Sequence, residues 1–280
     1  MAEKIRALVL TGYGLNCDHE TAYSLRLAGA EADRVHVNEL VGVTAEHRKR
    51  LSDYDMLIFD GGFSWGDDHG AGVLLALRLG AHLGPDIRNF LGEGKLVLGI
   101  CNGFQALVNL GLLPGLDGDY TARRVALTWN DCGNFQNRWV NLGVNTDSPC
   151  VFTRHIEGLE LPVRHGEGKF VAEESVLDTL EKNAQIVVRY ASPNGSPAGG
   201  HFPDNPNGSL RDIAGICDPT GRVFGLMPHP EAYNHWTNHP NWTYQKEVRR
   251  RRGIMDIESP EGAGIQLFRN AVEYLKRNIK

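Results

Sequence analysis

The chain has 280 residues, of which 29 are Lys or Arg and 34 are Asp or Glu, so its formal net charge is −5. The 41% hydrophobic and 22% charged fractions are typical of globular proteins and exclude a mainly disordered chain. The acidic excess argues against broad nucleic-acid binding, which needs a basic surface. With no apolar run near the roughly 20 residues of a membrane span and no signal-peptide pattern, we expect a cytoplasmic protein that binds neither nucleic acid nor membrane.

Five cysteines are present, an odd number, and no two of them form a C-x-x-C pair. This pattern predicts neither a disulfide framework nor a zinc site, so we expect free thiols and no bound metal. Because most free cysteines are small apolar core residues, the question is whether one of these five is a nucleophile.

Short, continuous apolar runs alternate with segments of helical spacing through the first part of the chain. The runs Ile5–Leu10, Met56–Phe59 and Lys95–Ile100 are typical of parallel strands that are covered on both faces. Apolar residues with helical spacing follow Asp18 and Gly72. The alternation predicts a three-layer α/β/α fold with a central, mostly parallel sheet.

The rest of the chain contains further strands, a loop-rich stretch and a strongly amphipathic final helix. No linker divides the sequence, so we predict a single domain over residues 1–280. We expect strands at Trp139–Val144, Leu161–Arg164 and Ile186–Tyr190. Asp212–Cys217 and Arg222–Leu226 should form a hairpin around the DPTG turn, and the apolar positions from Ile265 to Ile279 predict the last helix.

A strand that runs directly into Gly99-Ile100-Cys101-Asn102-Gly103, followed by a helix, has the form of a nucleophile elbow. In that turn the nucleophile adopts strained backbone angles, and the flanking glycines avoid clashes. The helix N-terminus favours a thiolate at Cys101, and the backbone N–H of Asn102 faces a developing oxyanion. The alternative is a buried structural Cys. The motif alone favours neither, and the strand and helix around it favour the nucleophile.

A thiol nucleophile needs a proton acceptor, and His229 is the candidate base because prolines fix its backbone on both sides. Glu231, two residues later, can hold the second imidazole nitrogen and select the tautomer. The alternative is a surface His in a Pro-rich turn, which is the commoner role of a single His.

The loop that begins at Asp60 has two adjacent glycines after a buried strand, at the edge where open α/β sheets place their sites. A backbone N–H of Gly62 or Phe63 is therefore a candidate second oxyanion donor. Taken alone, an ordinary Gly-rich loop is the better interpretation. The loop matches neither a dinucleotide fingerprint nor a phosphate loop, so no nucleotide site is predicted.

Together these motifs resemble those of class I, triad-type glutamine amidotransferases, which have a flavodoxin-like fold. More narrowly, they are similar to the glutaminase subunits of phosphoribosylformylglycinamidine synthase, and the N-terminal GLNCD also fits. The motifs occur in the family's order as GGFSWGDDHGAG, LGICNGFQALVNLGLLPG, PVRHGEGKF, NGSLRDIAGI and GLMPHPE.

The resemblance implies that Cys101 attacks the carboxamide of L-glutamine, forming a γ-glutamyl thioester and releasing ammonia. It implies that His229 carries the proton, that Glu231 orients His229, and that backbone N–H groups near Gly62 and Asn102 hold the oxyanion. It further implies a substrate-positioning group made of Gln105, His165, Gly166 and Glu167.

The resemblance also implies partners. Ammonia would pass to a synthetase subunit (PurL-like) that uses ATP and Mg²⁺ to convert formylglycinamide ribonucleotide to formylglycinamidine ribonucleotide in purine biosynthesis, helped by a small accessory subunit (PurS-like). We therefore expect no cofactor in this chain. Rival interpretations are a Cys peptidase or hydrolase of similar fold, and a non-catalytic scaffold subunit.

Three features depart from the family pattern. Asp60 stands where Pro usually precedes Gly-Gly, Ala232 stands where Arg is common, and an insertion of about residues 234–257 is rich in Arg and Trp. These departures leave the predicted triad intact and concern the docking surface and the choice of partner. The insertion is either a solvated face or a surface that contacts the synthetase.

Overall fold

The computed structural model describes residues 4–42, 49–254 and 260–278. Within them, nine strands form one sheet in the order β2-β1-β3-β4-β11-β10-β9-β6-β7, and β5 pairs with β8 in a second sheet. The strands are β1 (Arg6–Thr11), β2 (Glu31–His36), β3 (Met56–Phe59), β4 (Leu96–Ile100), β5 (Val125–Thr128), β6 (Gln136–Val144), β7 (Gly158–His165), β8 (Lys169–Ala172), β9 (Ile186–Ala191), β10 (Ile213–Cys217) and β11 (Val223–Leu226).

The sheet has a parallel half and an antiparallel half. Strands β2, β1, β3, β4 and β11 are parallel, as the short, continuous apolar runs predicted. The predicted hairpin joins β10 to β11, and from there the sheet continues antiparallel through β9, β6 and β7. Because β11 closes the parallel half beside β4, the segment after β11 lies next to the segment after β4.

Helices cover both faces of this sheet and confirm the three-layer α/β/α prediction. Helix α3 packs against α4, and α1 packs against α7. The last helix lies where its periodicity placed it, although Ile279 is outside the described residues. The helices are α1 (Asp18–Leu27), α2 (Val37–Val41), α3 (Val73–Gly92), α4 (Asn102–Asn109), α5 (Glu174–Lys182), α6 (Trp242–Arg251) and α7 (Ile265–Asn278). None of these helices is long and apolar enough to cross a bilayer.

Glycines allow β3, β4 and α4 to approach each other closely at the predicted elbow. A Cβ on Gly103 would lie 1.9 Å from the carbonyl oxygen of Phe59, at the end of β3. A Cβ on Gly99 would lie 2.6 Å from Leu107 Cδ1 and 2.9 Å from the Gly103 backbone. Backbone atoms cannot move aside as a flexible side chain can, so both positions require glycine.

The described part of the predicted insertion is residues 234–254, and residues 255–257 lie outside the described ranges. Helix α6 buries no residue, and Glu247 pairs on its surface with Arg250 and Arg251. The segment is anchored by His239, whose Nε2 lies 2.9 Å from a Glu160 carboxylate oxygen. The single domain over residues 1–280 stays a prediction.

We predict that Gly103→Ala destabilises the fold, because the new methyl group must displace backbone at the end of β3. The free energy of unfolding should fall by about 2–3 kcal/mol, the usual cost of overpacking a rigid site. Chemical denaturation measures the change.

The matched control is Gly92→Ala at the end of α3, where a Cβ would meet nothing within 4 Å. Alanine is the better helix former, so this variant should be at least as stable as the parent. Equal stabilities for the two variants would contradict the packing argument.

Candidate active site

Cys101 occupies the turn between β4 and α4 with the strained backbone that the elbow motif predicts. Its φ is 50° and its ψ is −105°, angles that a non-glycine residue rarely adopts. The backbone N–H of Cys101 donates to the carbonyl of Leu226 at 2.8 Å, which ties the turn to the end of β11. The buried thiol donates to the carbonyl of Arg164 at 3.5 Å. Strain of this kind is typical of functional sites.

His229 follows β11 and therefore lies beside the elbow. Its Nδ1 is 2.6 Å from Oε1 of Glu231, and both side chains are fully buried. A carboxylate accepts hydrogen bonds, so Nδ1 carries the proton and Nε2 is the free base. The structure thus brings together the predicted base and its predicted orienter, across the parallel β4–β11 contact that also positions Cys101.

Opposing influences set the pKa of His229. Burial, the largest influence, lowers it, whereas the negative charge of Glu231 and the nearby thiols of Cys101 and Cys17 raise it, and the pKa stands well above its usual value. His229 Nε2 is buried and makes no hydrogen bond within the described protein. The surroundings therefore stabilise the imidazolium, so His229 Nε2 can accept and hold the thiol proton of Cys101.

The predicted oxyanion loop lies against the residues that follow β1. Gly62 has a φ of +147°, and a Cβ there would lie 2.6 Å from the carbonyl of Gly14. The N–H of Phe63 donates to that same carbonyl at 3.0 Å, so it is engaged inside the protein. The N–H groups of Gly62 and Asn102 therefore remain as the predicted donors to the oxyanion.

The side chain of Asn102 joins the oxyanion loop to the elbow. Its Oδ1 accepts the N–H of Ser64 at 3.2 Å, and its Nδ2 donates to Asp67 at 2.9 Å and to Gln105 Oε1 at 3.1 Å. Gln105 Nε2 in turn donates to the carbonyl of Glu167 at 2.5 Å. Both polar ends of the Gln105 amide therefore have protein partners, and Gln105 holds the Glu167 turn in place.

Hydrogen bonds with Asn130 hold His165 and Gly166 in place. Asn130 donates to both of their carbonyls, each at 2.9 Å, and its side-chain oxygen lies 3.1 Å from His165 Nδ1. Burial, followed by the nearby charge of His229, lowers the pKa of His165 to about 3, so its ring is neutral. Of the predicted positioning residues, Gly166 and Glu167 line an open cavity.

Two adjoining cavities lie at this edge of the sheet. The smaller, of about 180 Å³, is lined by His229 together with Cys17 and the side chain of Arg164. The larger, of about 320 Å³, is lined by Asp67 and Glu167. Phe63 and Phe135 line both cavities, and their ring centroids are 6.1 Å apart. An elongated polar molecule can therefore extend from the triad to the carboxylates.

Sequence reasoning missed Cys17, whose thiol lies near Nδ1 of the His229 imidazole. Its Sγ is 3.9 Å from His229 Nδ1, the nitrogen that Glu231 also holds. Burial raises the pKa of Cys17 to about 11 and keeps it a neutral thiol. The N-terminal motif GLNCD contains Cys17 and fits the family resemblance, but the resemblance gave this cysteine no role.

Asp67 was also missed, although it lies in the Gly-rich motif. Burial, and next the charge of Glu167, raise the pKa of Asp67 to about 6, against the hydrogen bond from Asn102. Nothing in the motif distinguishes Asp67 from Asp68, because only the fold shows which of the two turns inward.

Among the described residues, one group of side chains has donor atoms close enough to suggest a metal site. These are Cys17, His229 and Glu231, with ligand atoms within 4.8 Å of one another. However, the 2.6 Å hydrogen bond between His229 and Glu231 leaves no room for an ion between them. That no metal is needed stays a prediction.

Comparisons with known proteins agree with the site. Residues 4–275 match the family model of the CobB/CobQ-like glutamine amidotransferase domain. The chain is 45% identical over 272 residues to the phosphoribosylformylglycinamidine synthase subunit PurQ of Methanococcus maripaludis, covering 97% of this chain and 98% of the relative. It is 42% identical to the PurQ subunit of Dehalococcoides mccartyi, covering 98% and 99%. A chain in the structure of PurLQS from Thermotoga maritima superimposes with a TM-score of 0.68 at 29% identity, covering 98% of this chain and 100% of that one.

We predict that the Asp67→Asn variant becomes more stable relative to the parent protein as the pH rises. The folded state holds the Asp67 proton up to about pH 6, whereas an unfolded Asp loses it near its ordinary pKa of 3.8. The parent therefore loses stability between these values, and the amide does not. Thermal unfolding from pH 3.5 to 8 should show the difference growing through that window and constant above it.

Asp86→Asn is the matched control, because it makes the same substitution at an exposed position on α3, outside the site. A difference between Asp67→Asn and the parent that is already complete at pH 3.5 would contradict the assignment.

Proposed function

Because the chain belongs to the CobB/CobQ-like glutamine amidotransferase family, and within it to the PurQ subunits of phosphoribosylformylglycinamidine synthase, we propose that Cys101, His229 and Glu231 hydrolyse L-glutamine to glutamate and ammonia. The observation that carries the proposal is the strained, buried Cys101 beside an imidazole whose Nδ1 is held 2.6 Å from Glu231.

In the first half of the reaction, His229 Nε2 takes the thiol proton of Cys101 while Sγ attacks the carboxamide carbon of glutamine. The oxygen of that group gains negative charge, and the N–H groups of Gly62 and Asn102 stabilise it. When the tetrahedral intermediate collapses, the C–N bond breaks. The imidazolium returns its proton to the leaving nitrogen, which departs as ammonia and leaves a γ-glutamyl thioester.

In the second half, His229 Nε2 takes a proton from water, and the resulting hydroxide attacks the thioester carbon. The same donors stabilise the second oxyanion. The C–S bond then breaks, glutamate is released, and the sulfur recovers its proton from His229. Glu231 keeps one imidazole tautomer throughout and stabilises the imidazolium that forms in each half.

Geometry also favours Cys101 over Cys17 as the nucleophile. Cys17 faces Nδ1, whose proton is committed to Glu231, so no base is available on that side. Burial keeps its thiol neutral, with a pKa of about 11. Cys101 instead sits at the N-terminus of α4, where the helix dipole favours a thiolate.

The two cavities suit the two ends of glutamine. The carboxamide would occupy the smaller cavity beside His229, and the α-amino acid end would occupy the larger one. There the carboxylates of Asp67 and Glu167 supply negative charge for an ammonium group. Gln105 positions this subsite indirectly, because it holds the Glu167 carbonyl.

Kinship with PurQ subunits and with a chain of the PurLQS structure supports the rest of the assignment. The ammonia would serve a cytoplasmic PurL-like synthetase that aminates formylglycinamide ribonucleotide, with a PurS-like accessory subunit. ATP and Mg²⁺ would bind that synthetase, and this chain would need no cofactor of its own. The rival functions predict other outcomes: a peptidase would cleave peptides that contain no glutamine, and a non-catalytic scaffold would release no ammonia from glutamine.

We predict that Cys101→Ala abolishes glutamine-dependent amination by the reconstituted complex and spares amination driven by added ammonia. The thiol is needed to form the thioester and has no role in the synthetase reaction. Ammonia release and formylglycinamidine ribonucleotide formation are measured in parallel.

Cys132→Ser is the matched control, because that thiol accepts a hydrogen bond from Gln136 Nε2 outside the triad. It should keep both activities. Loss of ammonia-driven amination in Cys101→Ala would contradict the division of labour.

We predict that Glu231→Gln lowers kcat for glutamine hydrolysis by about 10²–10⁴-fold, since an amide can stabilise the wrong imidazole tautomer and carries no charge. The KM for glutamine should change little, because Glu231 is buried behind His229 and does not line either cavity. Steady-state kinetics of the complex test this split. A raised KM with an unchanged kcat would place Glu231 in substrate binding instead.

A further inference from the structure

Asp60 is a fully buried carboxyl group that the mechanism above does not use. It lies between the end of β3 and Gly61, at the position where the family resemblance expects proline. Its side chain has 0% exposure, and neither of its oxygens has a hydrogen-bond partner. Burying an ionised carboxylate without a donor is so costly that the group becomes protonated instead.

In the triad, Glu231 also has a buried carboxylate oxygen without a hydrogen-bond partner. Oε1 of Glu231 holds His229, but Oε2 is buried without a partner. In the described part of the chain, the buried carboxylate oxygens that lack a partner are these three, both of Asp60 and Oε2 of Glu231. One proton shared between the two residues would provide the donor that Glu231 lacks.

The backbone next to Asp60 and the carboxylate of Glu231 both lie against the ring of His229. The carbonyl of Gly61 accepts the N–H of Cys17 at 3.3 Å, and a Cβ on Gly61 would lie 2.8 Å from His229 Cε1. Cys17 Sγ and Glu231 Oε1 both face Nδ1 of that imidazole, at 3.9 and 2.6 Å. The residue next to Asp60 thus contacts the His229 ring, and the negative charge of Glu231 acts on Asp60.

We propose that Asp60 is a positioning residue, a neutral carboxylic acid whose proton is donated to the second oxygen of Glu231. This bond keeps Glu231 ionised and fixed, and through Glu231 it fixes the ring of His229. The proposal rests on the proposed function, because it assigns Asp60 to the same triad, and it concerns a residue that touches no substrate.

The charges around Asp60 agree with a neutral acid. Burial raises the pKa of Asp60 well above its usual range, and the negative charges of Asp18 and Glu231 raise it further. The nearby backbone N–H groups of Asp60 and Cys17 lower the pKa by less, and neither forms a hydrogen bond to the carboxyl group. Asp18 is itself paired with Arg34, whose Nε lies 2.5 Å from its carboxylate, so Asp18 needs no proton from Asp60. The other titratable groups close to Gly61, the residue next to Asp60, are Cys17 and His229.

The first test is spectroscopic and needs no activity. Infrared difference spectra of the full chain at neutral pH should contain the carbonyl stretch of a protonated carboxylic acid. That band should shift with isotope-labelled aspartate and be lost in Asp60→Asn. If no such band is assigned to Asp60, the proposal is overturned.

The second test is the pH profile of glutamine hydrolysis by the complex. Asp60→Asn can still donate from its amide and should keep kcat within about threefold of the parent. Asp60→Ala cannot donate and should lose about tenfold in kcat with little change in KM, the scale of one hydrogen bond to a charged group. Without this donor the ionised Glu231–His229 pair is less stable, so the acid limb of the Asp60→Ala profile should move to higher pH.

Thermal unfolding of each variant separates this role from a structural one. An Asp60→Ala variant with altered stability but an unchanged kcat and acid limb would overturn the proposal, as would an Asp60→Asn variant as slow as Asp60→Ala. Failure of the proposed function looks different, because the parent complex would then release no more ammonia than Cys101→Ala while the infrared band remained.

Discussion

The close approach of α4 to the ends of β3 and β4 is the constraint on which the site depends. Because Gly103 has no side chain, the backbone of α4 can lie so near Phe59 that no β-carbon would fit between them. The turn that enters α4 is therefore tight, and Cys101 adopts a φ of 50° as a consequence. This strained backbone presents the sulfur at the helix N-terminus beside β11. A looser packing would allow relaxed angles at Cys101 and move its thiol away from the imidazole.

The same packing explains which parts of the site could be predicted from the sequence. The elbow, its glycines and the Pro-flanked His229 are local features whose meaning depends on a few neighbouring residues, so a single sequence carries them. Parallel strands could be predicted from continuous apolar runs such as Met56–Phe59, which the structure reproduces residue for residue. Strand β2 was missed because it is a polar edge strand whose sequence, EADRVH, has little apolar pattern.

Contacts between distant segments could not be predicted in this way. Cys17 and His229 are 212 residues apart, and only the pairing of β1, β3, β4 and β11 brings them within 3.9 Å. The predicted donor Phe63 is engaged by Gly14, which depends on how the chain leaves β1. Gln105 holds the Glu167 turn, and its predicted contact with substrate stays a prediction. In each case the residue type was informative, and its partner was decided by tertiary structure.

Burial acts in opposite directions on the ionisable groups of the site, and the partner of each group decides the outcome. The ring partner of His165 is the neutral amide of Asn130, and burial lowers the pKa of His165 to about 3, which makes it a fixed neutral ring. His229 is equally buried, but the charge of Glu231 outweighs desolvation with the help of the thiols and raises its pKa. That charge must itself be kept ionised in a region that excludes water. A carboxylate with one satisfied oxygen and one unsatisfied oxygen is a poor anchor, because a proton would bind there and release the imidazole. The proposed neutral acid would donate to Glu231 without adding a second negative charge, and Asp60 is a fully buried carboxyl group whose pKa burial raises.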